Sequence, residues 1–255
     1  MRVLCLHGKG TSGAIFHSQT SSFRSRLEDL NLDFEFINGR FPSAPAPGIN
    51  LFYPPPYFSF WEDDSPDAVQ ATCAWLTDLI ARRGPYDAVM AFSQGTALAA
   101  ALLLLHRAHH PSAPPPFKAA IFICGGAPLA LVEGLGFDVP ASVKERDQLS
   151  RTALAAQADA SAILARGSAR WTGTETCEAV EEGEGITCPF RVGIPTVHVY
   201  GAKDPRYVAG LQLAELCQPA IRMVYDHGGG HEIPRLGVVS EKIAELVRWA
   251  LSEGM

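Results

Sequence analysis

Ser93 stands in the pentapeptide Ala91-Phe92-Ser93-Gln94-Gly95, between an apolar run and a helical pattern. A serine hydroxyl gains reach when it sits on a tight strand-to-helix turn that exposes Oγ, and such a turn needs small residues two positions to either side. Gly95 meets that need; Ala91 stands where glycine is usual but is small enough for close approach. A serine nucleophile also needs a base, and the base needs an orienting acid. Gly201-Ala202-Lys203-Asp204-Pro205 offers a carboxylate just past another apolar run, and Asp226-His227-Gly228-Gly229-Gly230-His231-Glu232-Ile233-Pro234 offers imidazoles on a glycine-rich loop. Each segment alone has an ordinary reading: a helix-capping serine, a turn aspartate before proline, a surface histidine. Their chain order, serine then acid then histidine, and their shared place at strand ends point instead to two-step acyl transfer.

Two histidines compete for the base. His227 directly follows the strand, whereas the glycine run before His231 lets that ring reach back over the sheet edge, so His231 is favoured and His227 reads as structural. The first apolar run ends in Leu6-His7-Gly8-Lys9-Gly10-Thr11-Ser12-Gly13. In an acyl-transfer site this turn supplies one backbone oxyanion donor, expected at Lys9, with the N–H of Gln94 as the other.

These groups need a rigid frame. Strand-like runs are predicted at Arg2 to Leu6, Asp33 to Ile37, Tyr86 to Phe92, Phe117 to Cys124, Thr196 to Tyr200 and Ile221 to Tyr225. Helical patterns alternate with them: a stripe Phe16, Thr20, Phe23, Leu27, Leu30; a helix opened by Ser65-Pro66 with Val69, Cys73, Leu76 and Ile80 inward; Gln94 to Arg107; Tyr207 to Cys217; and a last helix facing Val239, Ile243, Leu246 and Ala250 inward. That alternation predicts an α/β fold with a mostly parallel sheet of about six strands and helices on both faces, its site at the carboxyl ends of the strands. Residues 127 to 192 break the rhythm after the fourth predicted strand. They lack a core pattern of their own, so they are expected to form a lid inserted into one domain spanning 1–255.

Composition narrows the class further. The 255 residues are 47% hydrophobic and 19% charged with a net charge of -6, which suits one sizeable soluble domain. No basic cluster is evident, so nucleic acid is not an expected partner, nor is an anionic membrane surface. The run Met1 to Gly8 has no signal-peptide pattern and the apolar helical run Ala97 to Leu105 is far short of a bilayer span, so a cytoplasmic location is expected. Six cysteines (5, 73, 124, 177, 188 and 217) are then expected reduced, with Cys177 and Cys188, flanking an acidic loop, the one pair to test for a bridge. No paired CxxC or HExxH spacing indicates zinc.

Leu6-His7-Gly8-x-Gly10-Thr11-Ser12-Gly13, Pro56-Tyr57-Phe58-Ser59-Phe60, Phe92-Ser93-Gln94-Gly95, Gly201-x-x-Asp204 and Gly229-Gly230-His231-x-Ile233-Pro234 together resemble the fungal FSH-type serine hydrolases, within the α/β-hydrolase superfamily. The resemblance runs from Arg2 to about Leu251 and is vague across 127–192; Ala91 is its main departure. It implies an α/β-hydrolase fold, a cytosolic enzyme with no metal or organic cofactor, and Ser93, Asp204 and His231 as catalytic residues. Members of the family include short-acyl esterases and stand-alone thioesterases of the lovastatin-pathway type, which release a polyketide acyl chain from a synthase carrier protein. The resemblance thus implies thioester release, with the acyl-carrier protein as partner, or hydrolysis of a small-molecule carboxylic ester as the alternative. The aromatic loop residues Phe52, Tyr53, Tyr57, Phe58, Phe60 and Trp61, with Leu129, Leu131, Val132, Leu135 and Phe137, are candidates for an acyl pocket, or equally for packing the insertion to the body.

Two other readings stay open from the sequence. Gly8-x-Gly10-x-x-Gly13 matches a dinucleotide fingerprint, with Arg40 placed to meet a 2′-phosphate, though it leaves the three strand-end loops without a role. A hydrolase fold that only binds ligand is the other.

Overall fold

The computed structural model describes residues 1–172 and 185–254. Six strands form one parallel sheet: β1 (Arg2–Leu6), β2 (Asp33–Ile37), β5 (Ala88–Phe92), β6 (Ala119–Ile123), β7 (Thr196–Tyr200) and β8 (Arg222–Asp226), in the order β2-β1-β5-β6-β7-β8. Two short strands, β3 (Phe41–Pro42) and β4 (Phe58–Ser59), pair antiparallel in the loop between β2 and the next helix. The parallel six-stranded sheet is the expected architecture; the small ribbon was not legible, because two residues per strand leave no alternation to read.

Every residue of β5, β6 and β7 is buried, as central strands covered on both faces must be. Because successive side chains alternate across a strand, the core divides in two. Leu4, Leu6, Val89, Ala91, Ala120 and Phe122 join one side, packed with α3 (Pro66–Arg83) and α4 (Gln94–His109). Val3, Cys5, Ala88, Met90, Ile121, Ile123, Val197 and Val199 face the other, against Phe16 of α1 (Gly13–Gln19), Phe23 of α2 (Ser21–Arg24) and α9 (Gly237–Glu253).

The single helical stripe read over residues 16–30 is in fact broken. Thr20 Oγ1 bonds back to the Phe16 carbonyl at 2.8 Å at the α1–α2 junction, and residues Ser25–Leu30 continue as a 3-10 turn closed by left-handed Asn31. In α3 the capping Ser65 and following Pro66 fix the start as read, with Val69, Cys73 and Leu76 buried; Leu79 rather than Ile80 completes the buried face. All four inward residues expected of α9 are buried.

Between β6 and β7 the chain forms α5 (Leu129–Gly134), α6 (Ala141–Gln157) and α7 (Ala160–Arg166). Leu131, Val132, Phe137, Val139, Val143 and Ile186 of this stretch belong to the same core cluster as the sheet. α8 (Tyr207–Glu215) follows β7. Among the described residues no helix is long and apolar enough to cross a membrane. Cys5, Cys73, Cys124 and Cys217 are buried free thiols and Cys188 is half-buried, while Cys177, and with it the suggested Cys177–Cys188 pairing, falls outside the described residues.

Candidate active site

Ser93 occupies the turn from β5 into α4 with φ 52° and ψ −112°, a left-handed backbone that a non-glycine residue adopts at a cost on the order of 1–3 kcal/mol. The surroundings hold it there. Ser93 N–H donates to Ile123 O at 3.0 Å, Gly95 N–H to His7 O at 3.1 Å, and Thr96 Oγ1 to Ala91 O at 3.0 Å. A Cβ at Gly95 would lie 2.3 Å from the Leu6 carbonyl oxygen, so the helix can approach β1 this closely only with glycine there. Ala91 points to the helix side of the sheet, fully buried, where its methyl packs rather than clashes.

Three segments far apart in sequence meet at this turn. His231 Nε2 lies 3.0 Å from Ser93 Oγ, and His231 Nδ1 lies 2.8 Å from Asp204 Oδ2. The other carboxylate oxygen of Asp204 accepts the Arg206 N–H at 2.7 Å, which leaves Oδ2 aimed at the ring. A carboxylate can only accept, so Nδ1 carries the proton and the Nε2 lone pair faces the serine hydroxyl, which donates to it. Asp204 is fully buried and the His231 side chain is 10% exposed, so little water competes for these bonds. Phe92 packs beside the His231 ring, with centroids 5.3 Å apart.

His227 is held differently. Its N–H donates to Tyr200 O at 2.8 Å, its Nδ1 accepts the Gly229 N–H at 3.2 Å, and its Nε2 faces Cys124 Sγ at 3.7 Å. Burial lowers its pKa, in keeping with a neutral ring that shapes the loop. His231 touches the serine; His227 anchors the segment that delivers it.

The first-strand turn is tied down from inside. His7 Nδ1 and Thr11 Oγ1 donate to the Gly8 carbonyl at 2.7 and 2.6 Å, while His7 Nε2 accepts the Gly39 N–H at 2.9 Å. That bonding fixes a neutral tautomer, and burial pushes the His7 pKa down to about 4. Gly10 N–H donates to Phe58 O and its carbonyl accepts Ala46 N–H, while Gly13 N–H donates to Asn38 Oδ1. Gly10 and Gly13 thus spend their amides on the protein's own chain, so neither is available to a pyrophosphate. The N–H groups of Lys9 and Gln94, by contrast, donate to no group among the described residues. The Gln94 side chain grips the aromatic loop, accepting Phe60 N–H at 3.0 Å and donating to Ser59 Oγ at 3.0 Å.

The suggested pocket residues divide. Phe60, Trp61 and Leu131 are 0%, 3% and 1% exposed and pack within the core, so in this structure they fasten loop and insertion to the body and offer no wall to a ligand. Tyr57 is buried too, its hydroxyl donating to Tyr53 O. Tyr53, Phe58 and Leu129 are half-buried, and Phe52 stands 72% exposed.

Residues that sequence reasoning missed connect the 124–195 stretch to the site. Arg206, two residues past Asp204, is 9% exposed and donates from Nη1 to Asp147 Oδ1 at 2.6 Å and Ser150 Oγ at 2.7 Å, both on α6. Asp147 also accepts from Arg151, which pairs with Asp64, and Asp64 accepts the Trp61 indole N–H. Desolvation pushes the half-buried Asp147 carboxyl up, but the Arg206 and Arg151 guanidinium groups outweigh it and hold its pKa below the ordinary value. Trp171 lies against Gly230, where an added Cβ would come within 2.0 Å of the indole, and its Nε1 donates to Glu232 at 3.3 Å. Ile163 of α7 packs on Gly48. No local motif signals contacts between groups 56 or more positions apart.

The chain matches the family model described as serine hydrolase (FSH1) over residues 1–243. It is 33% identical over 250 residues to Esterase FPY3 of Fusarium mangiferae, covering 97% of this chain and 94% of that protein. It is 27% identical to Esterase alnB of Emericella nidulans, covering 98% and 96%. Among solved structures, a carboxylesterase from Mesorhizobium loti superposes with a TM-score of 0.52 at 15% identity, covering 98% and 88%, a likeness of fold. The chain therefore belongs to the FSH1 family of serine hydrolases and is an enzyme of that class.

Proposed function

We propose that Ser93, His231 and Asp204 are a catalytic triad that cleaves an acyl thioester, releasing a polyketide chain from a synthase carrier protein. The observation that carries the chemistry is the pair of contacts at 3.0 and 2.8 Å linking Ser93 Oγ, the His231 ring and Asp204. His231 takes the Ser93 proton as Oγ attacks the carbonyl carbon, and Asp204 steadies the imidazolium. The oxyanion forms against the free N–H groups of Lys9 and Gln94. Loss of one such donor typically costs about 2.7–4 kcal/mol of transition-state stabilisation. His231 then returns the proton to the leaving thiolate, water is deprotonated by the same ring, and the acyl-enzyme is hydrolysed to a carboxylic acid.

The connection 127–192 acts as a lid in this reading, since α6, Ile163 and Trp171 touch the acid loop, the aromatic loop and the histidine loop respectively. Leu51, Phe52 and Leu164 are exposed on segments that meet where Ile163 reaches Gly48, an apolar rim suited to an acyl chain. The enzyme works in the cytosol without metal or organic cofactor.

A second reading, hydrolysis of small-molecule oxoesters, is favoured by the relatives named as esterases. Steady-state hydrolysis of acyl-N-acetylcysteamine thioesters against matched oxoesters separates the two. A higher kcat/KM on long-chain thioesters is expected, and preference for short oxoesters overturns thioester release.

A further inference from the structure

Cys124 takes no part in the proposed reaction, yet it sits at the back of the triad. It directly follows β6 in a left-handed conformation, φ 47°, and is 2% exposed. Its Sγ lies within 4.8 Å of both Asp204 and His231 ligand atoms, and those two lie equally close to one another. It also meets the carbonyl oxygens that flank His231, Glu232 O at 3.6 Å and Gly230 O at 4.0 Å. A thiol, an imidazole nitrogen and a carboxylate oxygen on three different strand-end loops are a soft-cation donor set.

Size supports the match. Zinc bonds of about 2.3 Å to sulfur and 2.0–2.2 Å to nitrogen and oxygen place tetrahedral ligand atoms roughly 3.3–3.6 Å apart. The Nδ1 to Oδ2 distance of 2.8 Å need open only slightly, and the sulfur contacts, within 4.8 Å, need close by at most about 1.2–1.5 Å.

We infer that Cys124 Sγ, Asp204 Oδ2 and His231 Nδ1 form an inhibitory site for a soft divalent cation such as Zn²⁺ or Cd²⁺. This rests on the triad reading above. On binding, the Cys124 thiol releases its proton to solvent water and sulfur bonds the metal as thiolate. The proton on His231 Nδ1 moves to Nε2 as Nδ1 donates its lone pair to the metal. Nε2 then has no lone pair for the Ser93 proton, and the nucleophile is left without a base. The ring keeps one proton throughout, and the cation's charge is matched by one thiolate and one carboxylate. The ion enters past the His231 ring, the least buried of the three ligands, so inhibition sets in slowly.

The test uses the full-length enzyme and a short oxoester substrate. Cd²⁺ or Zn²⁺ is expected to inhibit the native enzyme with slow onset and reversal by chelator, and Cys124→Ser to weaken inhibition at least tenfold while keeping basal turnover. Binding is read separately from activity: Ser93→Ala enzyme should take up one Cd²⁺ with a cadmium–thiolate band in the ultraviolet. Cys124→Ala in that background should abolish the band, and His231→Gln should weaken uptake tenfold or more. Equal inhibition of native and Cys124→Ser enzymes, or no thiolate band in Ser93→Ala, overturns the site. Full activity of Ser93→Ala with an intact band would instead sink the triad reading and leave the cation site standing.

Discussion

His227 and His231 are four residues apart on one loop, and the neighbours of each ring set its role. His231 spans Ser93 and Asp204, whereas His227 ties its own loop to Tyr200 and Gly229. His231→Ala is therefore expected to lower kcat by three orders of magnitude or more, as loss of a triad base does. His227→Ala should cost tenfold or less in kcat and act mainly on stability, both read by ester hydrolysis and urea unfolding. Asp204→Asn leaves the shape but lets the amide donate toward Nδ1, favouring the wrong tautomer. A fall in kcat of about 10⁴ with KM little changed is the expected signature. Gly95→Ala probes the elbow itself: with the Leu6 carbonyl 2.3 Å from the new methyl, backbone must move, and both folding yield and activity should drop together. A fully active Gly95→Ala enzyme would refute the close approach.

At the scale of elements, the contact to test is between α6 and the acid loop. Arg206 is nearly fully buried and its partners Asp147 and Ser150 belong to the stretch between β6 and β7. The same residue donates its backbone N–H to Asp204, so α6 and the proposed orienting acid share one anchor. Removing one member of a buried ion pair typically costs about 3–5 kcal/mol. Arg206→Met should fall at the lower end, about 3 kcal/mol by denaturant unfolding, because Arg151 still partners Asp147. Its kcat should fall as Asp204 loosens. A double variant, Asp147→Leu with Arg206→Met, should recover much of the stability but not the kcat if the charge pair serves to position the acid.

Over the whole molecule, two buried neutral histidines link stability to pH. Burial lowers His7 to about 4 and His198, in the middle of β7, to about 3. Both stand near 6.5 in an unfolded chain. Below pH 6.5 the unfolded state binds protons that the folded state refuses, so stability is complete above 6.5 and is lost as pH falls towards 4. Each group contributes a slope approaching about 1.4 kcal/mol per pH unit across that window. Urea midpoints measured from pH 7 to pH 4.5 should fall steadily. His198→Asn should flatten the fall, since among the described residues its Nδ1 has no hydrogen-bond partner and its Nε2 bonds only Thr196. Carboxyls held low by partners, such as Asp147 and Glu35, add a further loss at lower pH.

The frame and the candidate reacting groups follow from the sequence alone. Apolar runs of five residues between amphipathic helices dictate a covered parallel sheet, and Arg2–Leu6, Asp33–Ile37 and Thr196–Tyr200 appear at the bounds read from them. Ser93, Asp204 and His231 were legible because each sits in a short motif whose spacing has a local cause: a tight turn, a strand end, a flexible glycine run. Tertiary structure alone decided which aromatic residues are core and which are rim, since Phe52 and Phe60 look alike in sequence yet stand 72% and 0% exposed. It also decided the Arg206–Asp147 anchor and the placing of Cys124 behind the triad. Those contacts join residues from separate loops, and their distances depend on how whole elements pack, which no local spacing encodes.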